Sequence, residues 1–291
     1  MDWLLDPFTV SFVRRALLGG IAVALLCALV GTWVVLRGMA FLGDAMSHGM
    51  LPGIAVALLL GVNPVVGAAA SAAAMALGVS AMSRHRRLSH DTSIGLLFVG
   101  MLAAGVIIIS RSRSFAVDLT GILFGDILAV KPADIWLLAG ILAGTALVCA
   151  VFHRPFTALA FDARKAATLG MRPELAAVVL LLLVTAAMAG SFQVVGTLLV
   201  FGLLIAPPAA ALPWARSIPA IMAIAAVLGS VSVAAGLLIS WHAQTAAGAT
   251  IAATAVALFF ISTALKGARN QLRRPSSCHQ ARKQAFPAVA R

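Results

Sequence analysis

The chain has 291 residues, of which 62% are hydrophobic and 10% are charged. A soluble domain carries about 25% charged residues, so the composition excludes a soluble protein and indicates an integral protein of the lipid bilayer. The net charge of +12 does not indicate a nucleic-acid partner, because the basic residues cluster in a short loop around Arg86 and in the tail from Lys266. Such clusters are typical of cytoplasmic loops in membrane proteins.

Apolar stretches of about the 20 residues that a bilayer core requires predict about nine membrane-spanning helices, with eight or ten as alternatives. Residues 111–132 hold apolar runs broken by polar residues, which predicts a short re-entrant or interfacial helix there. The fold class is therefore an all-α polytopic membrane protein. The predicted spans cover residues 16–36, 41–60, 64–82, 92–110, 135–152, 174–189, 194–212, 218–240 and 248–265.

Two parts of unequal size are expected. Residues 1–267 form one transmembrane domain, and residues 268–291 form a basic, disordered tail. The protein is expected in the cell membrane (the plasma or inner membrane). Basic residues mark cytoplasmic loops, so the tail, Arg37 and the loop 153–173 are expected to lie on its cytoplasmic side. Nine spans then place the N-terminus outside.

The second predicted span contains an acid, Asp44, and an imidazole four residues later, His48. Residues four apart lie on one face of a helix, with Cβ atoms about 5–6 Å apart, so the two side chains can hold one divalent cation. An Asp near the centre of a membrane helix costs about 2.5–3.5 kcal/mol on insertion scales, which favours a function for the pair. The alternative is a neutral, hydrogen-bonded pair that only fastens this helix to a neighbour.

Pro52 follows the pair and is expected to bend or end the helix nearby, since proline has no N–H to donate. Backbone carbonyls around it can then face a cavity. Gln193, in a predicted outer loop, and His242, at a predicted outer membrane edge, are further candidate positions for a pathway or gate. A lone His at such an edge is more often an interfacial residue than a ligand.

No catalytic motif is present: the sequence has no HExxH motif, no P-loop and no Ser nucleophile with a paired His. The chain is therefore not expected to be an enzyme or to hydrolyse ATP itself. Three scattered cysteines indicate neither a disulfide framework nor a thiolate metal site. Asp162, Ala166 and Gly170 share a helical spacing within the loop 153–173, which suits either a short amphipathic helix that contacts a cytoplasmic partner or an ordinary charged loop.

Four segments together resemble the permease family of zinc and manganese ABC importers, over about residues 10–267. They are RGMAFLGDAMSHGMLPG from Arg37, LFGDILAV from Leu123, the DxxxAxxxG pattern from Asp162, and VGTLLVFGLLIAPPAAA from Val195. Many members carry an acidic, proline-containing loop before the last span, whereas this chain has WHAQTAAG from Trp241. His242 is therefore either a substitute ligand or a residue without a role in transport.

The resemblance implies a homodimer in the membrane, cytoplasmic ATP-binding subunits and an extracytoplasmic metal-binding protein. It implies that Asp44 and His48 face the translocation pathway and that Asp162, Ala166 and Gly170 contact the ATPase. No permanently bound cofactor is expected. Two copies of an oxygen and a nitrogen ligand favour transported zinc modestly, with manganese or iron as alternatives. A secondary metal transporter that works without an ATPase is the competing class, and the scarcity of membrane-embedded acids that could relay protons is an argument against it.

Overall fold

The computed structural model describes residues 7, 9–83, 90–110, 127–161 and 172–272. These residues form eleven α-helices and one 3₁₀ turn at Ile127–Ala129, with no strand among them. The expected all-α membrane fold is confirmed. The helices are α1 (Ser11–Leu36), α2 (Phe41–Gly49), α3 (Leu51–Leu59), α4 (Pro64–Ser83), α5 (His90–Ser110), α6 (Pro132–Val151), α7 (His153–Phe161), α8 (Pro173–Val195), α9 (Thr197–Ala211), α10 (Ile218–Ala243) and α11 (Ala247–Leu272).

Eight helical segments of the described residues are long and apolar enough to cross a membrane, with α2 and α3 together counted as one segment. The shorter apolar helix α9 has 15 residues and begins after Gly196, whose φ of 80° belongs to a conformation that glycine adopts readily. This glycine ends α8 and separates it from α9. The predicted nine spans therefore correspond to eight long helices and one short one.

Helix α1 lies at the centre of the molecule. It packs against α6, α8, α9 and α10, and its residues Val23, Val30 and Trp33 are fully buried. Helices α1, α9, α10 and α11 form a first group, and helices α2, α3, α4 and α5 form a second group. Helix α8 contacts both groups, through α1 and α9 on one side and α2 and α4 on the other.

Aromatic contacts define the two ends of the bundle. At one end, called here the Arg37 end, Trp33 in the last turn of α1 packs edge-on against His153, with ring centroids 5.9 Å apart. At the same end, Trp214 donates a hydrogen bond to Ser262 at 2.8 Å. At the opposite end, called here the Trp241 end, Trp241 packs against Phe12 at the start of α1.

Two predicted loops differ in the structure. The segment 153–173 was expected to be a polar loop, but it begins with helix α7, because Phe156 and Leu159 fall on one helical face and become buried. Of the predicted re-entrant segment 111–132, residues 111–126 lie outside the described residues. Its remainder forms the 3₁₀ turn, in which Ile127 is buried, and the start of α6.

Helix α11 continues to Leu272, beyond the expected end of the last span at residue 265. The basic tail from residue 273 onwards lies outside the described residues, and the division of the chain into residues 1–267 and 268–291 stays a prediction.

Candidate functional site

Helix α2 is amphipathic inside an apolar bundle. Gly38, with a φ of 66°, turns the chain after α1 so that α2 folds back into the bundle. One face of α2 is buried through residues spaced three and four apart, which is the pattern of a helix that packs on one side. The opposite face carries Phe41, which is 72% exposed, together with Asp44 and His48. The buried residues of the helix are Leu42, Gly43, Ala45, Met46, Ser47 and Gly49.

Asp44 and His48 lie next to each other, as their spacing predicts. The Oδ1 atom of Asp44 is 3.7 Å from the Nε2 atom of His48, and the two side chains are 45% and 31% exposed. This distance is too long for a hydrogen bond. Two ligand atoms that each bind one ion at about 2.0–2.2 Å can stand up to about 4 Å apart, so this spacing can accommodate a shared cation.

The helix is interrupted directly after the pair. Met50 separates α2 from α3, and Pro52 occupies the first turn of α3. Because proline has no N–H, the carbonyl of His48 cannot receive the usual helical hydrogen bond from residue 52. From α4, Ser71 donates a hydrogen bond of 2.6 Å to the carbonyl of Gly49, which fixes the junction between the two short helices.

The imidazole of His48 is held against an aromatic ring. Phe98 of α5 packs edge-on against it, with ring centroids 5.5 Å apart and an interplanar angle of 71°. The Nδ1 atom of His48 is buried and has no hydrogen-bond partner among the described residues. The Nε2 atom lies on the other side of the ring and faces Asp44. The ring is therefore oriented with Nδ1 towards the protein and Nε2 towards the carboxylate.

Contacts with α9 place the pair well inside the bundle. Gly43, which precedes Asp44, lies against the side chains of Leu204 and Phe201, and Leu204 also lies against Gly31 of α1. Gly31 is about 9 Å from the Arg37 end of α1 at 1.5 Å per residue. His48 lies one further turn of α2 away from that end. The pair is therefore at a depth that corresponds to hydrocarbon in a bilayer about 30 Å thick.

The remaining predicted site residues do not join this pair. Gln193 lies in the last turn of α8, at the Trp241 end. His242 lies at the C-terminal end of α10, where its Nδ1 atom is 2.8 Å from the carbonyl oxygen of Leu238. Asp162, Ala166 and Gly170 lie outside the described residues, so their contact with an ATPase stays a prediction.

The described residues of one chain do not form a complete metal site. Within the described parts of the chain, no three His, Cys, Asp or Glu residues come close enough to hold an ion together. A cavity of about 780 Å³ between α9 and α11 is lined by apolar residues such as Phe201 and Ile205. A smaller one between α3 and α4 is also mostly apolar. Neither cavity has the ligands that a cation needs.

Sequence reasoning did not identify Phe98 and Ser71, which contact the site. Both lie in apolar stretches far from α2 in the sequence, and both reach α2 only because α4 and α5 pack against it. No local motif around either residue signals this contact.

Comparisons with known proteins agree with this architecture. A model of the ABC 3 transport family matches residues 9–266. The manganese transport system membrane protein MntC of Listeria monocytogenes is 34% identical, over 87% of this chain and 90% of the relative. A probable iron transport system membrane protein of Haemophilus influenzae is 33% identical, over 90% of this chain and 97% of the relative.

A solved structure, PsaBC from Streptococcus pneumoniae in complex with Fab, superposes with a TM-score of 0.78 at 32% identity. The match covers 89% of this chain and 94% of the solved chain. The family match and the relatives agree with the resemblance that the sequence motifs carry. The chain therefore belongs to the ABC 3 transport family, as a multi-pass membrane permease of the metal-transporting ABC type.

Proposed function

We propose that this permease imports manganese or iron across the plasma membrane, and that Asp44 and His48 bind the ion on its way. A separate cytoplasmic subunit hydrolyses ATP, and an extracytoplasmic binding protein delivers the metal. The observation that carries the proposal is the pair itself: a carboxylate and an imidazole 3.7 Å apart, on the exposed face of a helix that lies within the apolar bundle.

The exposure of the pair argues against a purely structural role. An ionised side chain that faces lipid costs about 2.5–3.5 kcal/mol on insertion scales, and a structural pair would be expected to be buried and hydrogen-bonded. Asp44 and His48 are instead partly exposed and too far apart for a hydrogen bond. The exposed face of α2 therefore suits a water-filled pathway better than contact with lipid.

A second copy of the chain would complete the site. Two protein ligands are fewer than the four to six that transition metals take in proteins. Two copies related by a two-fold axis that passes beside α2 would supply two carboxylates and two imidazoles. The same arrangement would cover Phe41, which is 72% exposed in the single protomer. We therefore propose a homodimer with the exposed faces of α2 towards each other.

The choice of metal rests on the ligands and on the relatives. Carboxylate oxygens suit Mn²⁺, and imidazole suits Fe²⁺ and Zn²⁺. The sequence favoured zinc modestly, but the relatives are named as manganese or iron transport proteins, which favours the alternative. The exposed pair includes no thiolate, so the ion is held by ligands that exchange readily, as transport requires.

Uptake by the reconstituted transporter tests this proposal. The permease, its ATPase and its binding protein are placed in liposomes, and entry of Mn²⁺, Fe²⁺ and Zn²⁺ is measured with ATP and with a non-hydrolysable analogue. We expect Mn²⁺ or Fe²⁺ to enter only with ATP, and faster than Zn²⁺. Uptake at the same rate without hydrolysis would instead support a secondary transporter, and a preference for Zn²⁺ would overturn the choice of metal.

A further inference from the structure

We propose that Phe98 is a positioning residue for metal binding, which holds the His48 imidazole so that its Nε2 atom faces Asp44. The inference rests on the proposed role of Asp44 and His48 as ligands. Its basis is the edge-on contact between the rings of Phe98 and His48, with centroids 5.5 Å apart and an interplanar angle of 71°.

Histidine ligands are usually oriented by a hydrogen bond. Metal-binding imidazoles almost always donate their second ring N–H to a carboxylate, a backbone carbonyl or water, which fixes the ring and makes it a stronger ligand. The Nδ1 atom of His48 is buried and has no such partner in the part of the chain that the structure describes. The distance of 3.7 Å between Nε2 and Asp44 is too long for a hydrogen bond on the other side of the ring.

The aromatic contact takes over the orienting role. An edge-on pair of rings has a preferred geometry and resists rotation of either ring. Phe98 lies on α5, and α5 packs against both α2 and α3, so its ring comes from outside the short helix that carries the ligands. An imidazole fixed in this way keeps its direction without the added basicity of a hydrogen-bonded ligand. Such a ligand binds the ion more weakly and releases it more readily, as a pathway requires.

The test compares Mn²⁺ binding by variants of the purified permease–ATPase complex, measured as loss of the electron paramagnetic resonance signal of free Mn²⁺. Phe98→Leu keeps an apolar side chain and removes the ring, and Phe98→Tyr keeps the ring. Phe259→Leu is the matched control, because Phe259 is also half-buried and packs edge-on against a neighbouring ring, that of Phe260. Phe98→Met replaces Phe98→Leu if the latter does not fold.

We expect Phe98→Leu to raise the Kd for Mn²⁺ by about 2- to 10-fold, the range that loss of an aromatic pair implies. Phe98→Tyr and Phe259→Leu should stay within about twofold of the wild type on the same scale.

Equal Kd values for Phe98→Leu and Phe259→Leu, together with loss of binding in His48→Ala, would overturn the role of Phe98 and leave the ligand assignment intact. Wild-type binding in His48→Ala would instead reject the ligand assignment, and the inference with it. A defect that Phe98→Tyr shares equally with Phe98→Leu would also overturn the positioning role.

Discussion

Trp241, near the end of α10, packs against Phe12, at the start of α1, with ring centroids 6.2 Å apart. The first helix therefore begins on the same side of the bundle as the connection between the last two helices. The opposite side carries Arg37, Trp214 and Lys266, and the Lys266 ammonium lies 4.8 Å from the centre of the Trp214 ring. Basic residues at one membrane face are typical of a cytoplasmic interface, so we expect the Trp241 end to lie outside the cell.

Cysteine labelling tests this orientation. Ala246 is exposed at the Trp241 end, and Ser217 is exposed at the start of α10, at the Arg37 end. In a Cys278→Ser background, we expect Ala246→Cys to react with a membrane-impermeant maleimide in intact cells, and Ser217→Cys to react only after permeabilisation. The native Cys27 and Cys149 are buried and give a low background. The reverse pattern would invert the orientation, and labelling of both from one side would contradict the fold.

The contact between α3 and α4 depends on glycine. A methyl group on Gly53 would lie 2.5 Å from the Cβ atom of Ser71 and 2.7 Å from the carbonyl carbon of Gly67. We expect Gly53→Ala to lower the free energy of unfolding by about 1–3 kcal/mol, because the helices would have to separate. Gly140→Ala is the control, because a methyl group there meets no described residue within 4 Å. Thermal unfolding in detergent compares the two, and equal stability would show that α3 and α4 do not pack so closely.

His242 is expected to have no part in binding the transported ion. It is exposed at the Trp241 end, and its Nδ1 atom lies 2.8 Å from the carbonyl oxygen of Leu238 on the same helix. Uptake by His242→Ala should therefore stay within about twofold of the wild type, a difference of less than about 0.5 kcal/mol. A decrease of tenfold or more with normal protein levels would make His242 a ligand at the entrance of the pathway.

The inner loop is expected to couple transport to the ATPase. If Asp162, Ala166 and Gly170 contact that subunit, Gly170→Asp should reduce ATP-driven uptake strongly while the permease stays folded, because a bulky charge would occupy the contact. Uptake and metal-stimulated ATPase activity are measured together. Gly267→Asp is the control, since a side chain at Gly267, near the C-terminal end of α11, would meet no described residue within 4 Å. Unchanged values in Gly170→Asp would remove this loop from the interface.

The spans could be predicted from the sequence because each needs only a long apolar stretch, and the pair Asp44–His48 could be predicted because its two residues share one helical turn. The start of α7 was missed, since His153 and Arg154 make that segment look like a loop although Phe156 and Leu159 are buried. Phe98 was missed for a different reason: its contact with His48 depends on how α5 packs against α2, and packing between distant helices leaves no local pattern.

The most direct test of the metal pathway is uptake compared with thermal stability for Asp44→Asn and His48→Ala in the reconstituted transporter. Asp134→Asn is the matched control, because Asp134 accepts a hydrogen bond from the backbone of Lys131 at the start of α6 and Asn can accept the same bond. Both site variants are expected to lose uptake while their Tm stays near that of the wild type, since neither side chain makes a hydrogen bond within the described residues that its loss would break, and an ionisable residue inside the membrane is itself costly. Full uptake by either variant, or a loss of uptake that matches a loss of folded protein, would contradict the assignment of Asp44 and His48 as ligands of the transported ion.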